Sequence, residues 1–309
     1  MLEMAGPLSL HTPEILYSYN RQNPLNDDKV NHTLQLATEA KIRKKSKYKQ
    51  KFVSCNILGP SGDLSGVGNQ LFCVATTLSY AIDNGSVAFF PQMRTDNHIQ
   101  KYKETFYKKL SAGSCDVSTE VYVEPAFSYN KIHDCDGNLR LHGYFQSEKY
   151  FNDNREEIIS LLNIEKLRQI VRDKYGDYSN YVSIHVRRGD YLELSDYHYN
   201  LNIDYYKSAI EKFDKNSKYL VFSNDIEWCK KNFDFVENVE FSTCEQDWED
   251  IVLMSNCKHN IIANSSFSWW GAWLNNNPDK KVVCPSRWFG PKFSNKDTKD
   301  LLPVGWLII

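Results

Sequence analysis

The block His185-Val186-Arg187-Arg188-Gly189-Asp190 places two guanidinium groups, an imidazole and a carboxylate within six residues. It follows on an apolar run that reads as a β-strand over 181–186. In an open α/β sheet, ligands sit outside the carboxyl ends of the strands, which is where these side chains fall. Adjacent arginines are costly in an interior without anions. On a strand-end loop their forks reach phosphate oxygens bidentately. Gly189 lets the backbone turn closely behind them, and Asp190 can fix an arginine by an ion pair. A diphosphate grip is the chemistry such a block suits; a surface Arg–Asp network is the alternative.

A second block, Ser265-Ser266-Phe267-Ser268-Trp269-Trp270-Gly271, also follows a strand and opens a helix. Asn264 or Ser265 can cap that helix. Its free N–H groups and dipole favour an anion, while Trp269, Trp270 and Trp273 suit a core. The third block, Ser65-Gly66-Val67-Gly68-Asn69-Gln70, is a glycine loop between strand and helix. It lacks the third glycine of a dinucleotide fingerprint, and no Gly-Lys-Ser/Thr follows to make a Walker loop. The amides of Asn69 and Gln70 suit sugar hydroxyls or a phosphate.

These blocks need a scaffold, and the chain outlines one. A strand over 52–58, a loop with four glycines over 59–68, a helix over 69–82 stopped by Asp83-Asn84-Gly85, and a strand over 87–90 open an α/β unit. After a boundary region at 142–170, alternation resumes. Strands are expected at 181–186, 219–222, 260–263 and 281–284, and helices at 203–213, 226–232, 247–257 and 265–274. The expected organisation is an extension over 1–50, an N-terminal α/β domain over 51–165 and a C-terminal one over 166–309, with parallel sheets.

The 309 residues suit two domains of ordinary size. With 41% apolar and 25% charged residues the chain reads as globular, and a net charge of -2 argues against a protein that coats nucleic acid. Aromatic residues reach 14%, enough for core filling and for stacking on sugars or bases. Eight cysteines show no CxxC pair and no zinc spacing, and they read as reduced and structural. No secretory signal and no run of about 18 apolar residues is seen, so a soluble, cytoplasmic protein is the expectation. The sequons at Asn31 and Asn264 then carry no meaning. A basic run (Lys41, Arg43, Lys44, Lys45, Lys47, Lys49, Lys51) reads as a solvated face or linker, or as a weak contact to an anionic membrane.

In this order the loop 66–72, Gly143-Tyr144-Phe145-Gln146-Ser147-Glu148, the arginine block, Phe222-Ser223-Asn224-Asp225 and the run 264–274 resemble the α-1,2-fucosyltransferase family, over roughly residues 52–309. The resemblance implies a GT-B-type fold, two Rossmann-like domains facing across a cleft. It implies GDP-L-fucose as donor, a terminal galactose as acceptor, inversion at the anomeric carbon, and no metal or other cofactor. Carried over by motif, Arg187 binds the diphosphate with His185 and Arg188 beside it. Ser265 and Ser266 resemble the serines that meet the β-phosphate in related fucosyltransferases, and Phe267 and Asn224 belong to the same donor side. Asp250, sixteen residues before Ser266, has a spacing like that of a guanine-reading aspartate in those relatives, an ordinary exposed helix acid being the alternative. Gly68, Asn69 and Gln70 form an acceptor or donor loop. Asp190 is the first candidate base, with His185 another, and Asp190 can instead only orient the arginines. Ser65 departs from the family's paired glycines, and Cys73 stands where glutamine is common. The competing readings are transfer of another GDP-linked deoxyhexose, and a lectin-like or sensor protein without turnover.

Overall fold

The computed structural model describes residues 50–113 and 119–309. Most of the basic run, the sequon at Asn31, the suggested membrane contact and Cys115 lie outside the described residues. Lys51, the end of that run, donates to the Cys135 carbonyl at 3.0 Å and pairs with Asp136 at 3.4 Å. No helix among the described residues is long and apolar enough to cross a membrane.

Two sheets form, and all the ladders between their strands are parallel. The first comprises β1 (Phe52–Cys55), β2 (Val87–Ala88), β3 (Thr119–Val123) and β4 (Asn138–His142), in the order β2-β1-β4-β3. The second comprises β5 (Tyr181–Val186), β6 (Lys218–Ser223), β7 (Val239–Phe241), β8 (His259–Ile261), β9 (Val282–Cys284) and β10 (Leu307–Ile308). Its order is β10-β9-β8-β5-β6-β7. Parallel neighbours need crossovers. Helices supply most of them: α1 (Val67–Asn84), α2 (Arg155–Leu161), α3 (Ile164–Tyr175), α4 (Ile203–Ile210), α5 (Ile226–Asn232), α6 (Asp247–Asn256) and α7 (Ser266–Leu274). These are the two Rossmann-like α/β units of a GT-B-type fold.

Local signals explain the helix ends. Gly85 adopts the left-handed conformation (φ +59) and its N–H satisfies the last carbonyls of α1. Asn202, Asp225 and Ser265 accept from the first turns of α4, α5 and α7. The strand expected over 52–58 stops at Cys55, and a 3-10 helix, Gly59–Leu64, takes up part of the expected loop. The glycine loop therefore ends early: Gly68 lies inside the first turn of α1. Strands β3, β4, β7 and β10 were not legible in the sequence: none exceeds five residues, and β3, β7 and β10 are edge strands.

The units join through α7. Its three tryptophans are buried, and each indole N–H finds an acceptor: Trp269 the Leu301 carbonyl at 2.8 Å, Trp270 the Gly68 carbonyl at 2.9 Å, Trp273 the Glu148 carboxylate at 3.1 Å. Phe72 of α1 packs 4.4 Å from Trp269 and 5.1 Å from Trp270, and Phe151 stacks on Trp270 at 5.4 Å. Each such pair adds about 0.5–1.5 kcal/mol beyond the area it buries. Gly68 lies where a Cβ would be 2.5 Å from the Ser266 carbonyl carbon and 2.7 Å from the Phe267 nitrogen.

Those are backbone atoms, which cannot step aside. Gly68→Ala is expected to destabilise the protein by about 2–3 kcal/mol through overpacking, measured by denaturant unfolding. Gly66→Ala is the control, since nothing lies within 4 Å of a Cβ there and its φ is -65°. Equal stability of the two variants would refute this account of the seam.

Candidate active site

Strand order locates the crevices. From β5 the second sheet grows through β6 to β7, then returns to place β8 on the other side of β5. The loops leaving β5 and β8 therefore diverge at a switch point, where open α/β sheets bind ligands. In the first sheet β1 lies between β2 and β4 in the same way. The loops after β5 and β8 carry the arginine and serine blocks, and those after β1 and β4 carry the glycine loop and Tyr144 to Ser147. The contact of Gly68 with Ser266 brings the two crevices face to face.

His185 is 3% exposed, its ring 5.3 Å from that of Phe267. Burial, helped by the Arg187 charge, lowers its pKa to about 3, so it is neutral at physiological pH. Arg187 pairs with Asp190 at 2.9 Å and lies over the Tyr191 ring, 5.3 Å from its centroid. Arg188 takes other partners: Asp225 at 3.3 Å and the face of Trp228 at 3.8 Å. The expected joint clamp is thus divided, because successive residues off a strand end point to opposite sides. Arg187 turns toward the β8 side and Arg188 toward α5. Gly189 holds φ +37, and a Cβ there would meet the Asn224 amide nitrogen at 2.3 Å. Asn224 in turn accepts from the Arg188 N–H at 3.0 Å and reaches Asp190 at 3.5 Å. Asp190 has one oxygen toward Arg187 and the other toward Asn224, which is the geometry of an orienting group.

At the start of α7, Ser265 is the cap and accepts from the Phe267 N–H at 3.3 Å. Asn264 does not cap. Its amide donates to the carbonyls of Tyr199 at 2.8 Å and Trp288 at 2.7 Å, fixing two neighbouring loops. Ser266 and Phe267 are half-buried on the first turn. Tyr191 donates to the Asn264 carbonyl at 3.2 Å, which ties the arginine turn to this helix.

On the facing side the glycine loop departs from expectation. Gln70 is 2% exposed; its amide donates to the Ser65 carbonyl at 3.1 Å and accepts from Tyr107 at 3.1 Å. It shapes the loop from inside and reads no ligand, since the helix turns it into the core. Asn69 is half-buried and accepts from Gln146 at 2.8 Å. Among the described residues eight buried side-chain polar atoms lack a partner, and three belong to the glycine loop and the end of β5: Ser65 Oγ, His185 Nδ1 and Arg187 Nε. Buried polar groups are ordinarily satisfied, so a site with unfilled donors and acceptors is one built for a ligand or water.

Asp250, on α6, accepts from Ser242 Oγ at 2.7 Å, just beyond β7. Burial raises its pKa to about 6, opposed by hydrogen bonds from Ser242 and Cys244. It is no ordinary exposed helix acid. It lies at the same sheet edge as Arg187, two strand spacings or about 10 Å along. Tyr191 and His198, stacked at 4.0 Å, were not singled out from sequence; an aromatic directly after Asp190 was the available signal. Two concavities of about 280 and 220 Å3 lie elsewhere, beside Tyr80 and Tyr129 and beside Arg168 and Asn256. The seven described cysteines are free, and burial raises thiols such as Cys55 to about 12. No group of three or more metal-ligating side chains is found among the described residues.

Paired parallel α/β units thus bring a guanidinium, a capped helix start and a glycine-tight seam to one crevice. A model of the family described as glycosyl transferase family 11 matches residues 91–309, and the chain belongs to that family. The O-antigen biosynthesis glycosyltransferase WbnK of Escherichia coli is 37% identical over 199 residues, 58% of this chain and 66% of its own. An alpha-1,2-colitosyltransferase of Escherichia coli is 38% identical over 191 residues, 56% of this chain and 63% of its own. Galactoside alpha-(1,2)-fucosyltransferase 1 of Leontopithecus chrysomelas is 28% identical over 230 residues, 67% of this chain and 62% of its own. The matches thus span slightly less than two thirds of these relatives' lengths.

Asp250 generates a pH prediction. With its pKa near 6, the carboxylate is ionised above that pH and becomes neutral as pH falls through it. If it accepts from guanine, guanosine nucleotide affinity falls below pH 6, and Asp250→Asn flattens that dependence while weakening binding at pH 7.5. Calorimetric titration of GDP across pH 5–8 measures both; parallel profiles for the two proteins would exclude the role.

Proposed function

We propose that this chain is an inverting glycosyltransferase that moves L-fucose from GDP-L-fucose to the 2-hydroxyl of a terminal galactose, without a metal. The observation that carries the reading is Arg187. Its buried Nε has no partner, it is held by Asp190, and it lies over Tyr191, whose hydroxyl donates to the Asn264 carbonyl just before the Ser265-capped helix. Sugar transfer develops negative charge on departing GDP, and fixed donors aimed at the diphosphate stabilise that departure. A guanidinium and a helix N-terminus supply the positive ends that a divalent cation supplies in other enzymes. The edge from Arg187 to Asp250 suits a nucleotide lying along it, diphosphate at β5 and base at β7. Neutral His185 adds no second positive charge beside Arg187, and its buried ring is poorly placed to act as the base. In this reading Asp190 orients Arg187 instead of taking a proton.

The donor sugar is the finer question. One Escherichia coli relative is named for colitose, the primate relative for fucose. A panel of GDP-deoxyhexoses with β-galactoside acceptors decides between them, and GDP release only with acceptor separates transfer from a non-catalytic sensor. Turnover surviving EDTA supports the metal-free mechanism.

Arg187→Ala is expected to weaken GDP binding by about 2–5 kcal/mol and to abolish transfer. Arg188→Ala is expected to cost much less affinity, because that side chain is spent on Asp225 and Trp228. Wild-type turnover by Arg187→Ala would end the proposal.

A further inference from the structure

Two runs of contact, one from Arg187 and one from Asn69, pass around the crevice and meet. On the C-terminal side Arg187 lies over Tyr191, Tyr191 stacks on His198 at 4.0 Å, and His198 forms an antiparallel bridge with Phe289. On the N-terminal side Asn69, next to Gly68, accepts from Gln146 at 2.8 Å. Gln146 follows a turn whose Tyr144 and Phe145 N–H groups donate to Glu124 at 2.8 and 3.1 Å. Phe145 holds φ +51, a costly conformation for an aromatic residue, and the Glu124 carboxylate holds it there. Such strain gathers at ligand sites.

Both runs end at Lys296. Its ammonium is 5.0 Å from the ring centroid of Phe127, 5.7 Å from Tyr144, 5.6 Å from Phe289 and 4.7 Å from Phe293. Phe127 and Tyr144 come from loops at the carboxyl ends of β3 and β4, while the others follow β9. The four rings are half-buried, so each keeps surface open to solvent. Burial lowers the Lys296 pKa, and the Glu124 charge opposes that shift. A cation–π staple between the units would explain the pairing of ammonium and rings. It does not explain why the rings stay half open, or why the cluster stands on the ligand-facing edge of both sheets.

We propose that this cluster is the acceptor-sugar subsite, where the rings take the C–H face of a neutral pyranose and Lys296 donates to its hydroxyls. The inference rests on the glycosyl-transfer reading above. An aromatic face is negative and sugar C–H groups are weakly positive, so the two stack. An ammonium has three donors and suits a ligand rich in hydroxyl oxygens. Glu124 has its oxygens engaged by the Tyr144–Phe145 turn and Tyr150, so it is a positioning residue.

Saturation-transfer NMR with methyl β-D-galactopyranoside, on the protein with GDP bound, tests this apart from turnover. Lys296→Met keeps the aliphatic stem, and Phe293→Leu keeps an apolar side chain, so one remains informative if the other fails to fold. Each is expected to weaken galactoside binding about tenfold or more, while GDP affinity by calorimetry stays within about twofold. The acceptor KM should rise by the same factor while the donor KM stays. Unchanged galactoside affinity in a folded variant, or no galactoside binding by wild type that binds GDP, overturns the subsite. Failure of wild type to bind GDP overturns the donor reading instead.

Discussion

The contact of Gly68 with the backbone of Ser266 and Phe267 is the constraint on which the rest of the molecule depends. Two α/β units must meet so closely that one side of the junction carries no Cβ. The Trp270 indole then donates to the Gly68 carbonyl, and Phe72 and Phe151 pack on the tryptophans behind it. The hydrophobic seam and the polar crevice are two faces of this one junction. Tryptophans fill the inner face of α7, and its free N–H groups open at the other end. A helix start aimed at a crevice costs nothing to reorganise when charge appears there.

Electrostatics around β5 follow the same economy. Arg187 carries its charge beside a histidine that burial keeps neutral and an aspartate that fixes its direction. A second cation at His185 would repel Arg187. Arg188 is neutralised by Asp225 and stacked on Trp228, so it contributes rigidity to the β6 side. Adjacent residues of one type thus do different work because the strand sends them to different neighbours.

The facing loops show how precision is shared between the units. Asn69 is set by Gln146, which follows a strained turn held by Glu124. Across the crevice Asn264 ties the loops at Tyr199 and Trp288. Such networks hold side chains within tenths of an ångström, and each link comes from a different part of the chain.

Much of this was written in the sequence. The limits of β5 and α5 were readable, since a buried apolar run and an Asp225 cap are local signals. The arginine and serine blocks stood out as candidates for an anion site because charge and helix capping act within a few residues. Edge strands β3 and β7 are too short, at five and three residues, to leave a clear period. Gln70 read as a ligand group until burial in the core spent its amide, a fact set by Tyr107, 37 residues away. The split of Arg187 from Arg188, the raised carboxyl of Asp250 and the aromatic surround of Lys296 came from tertiary structure alone. Residue type and short-range spacing determine what chemistry is available. Burial and partners, which depend on segments far apart in the chain, decide which of those groups remain free to perform it.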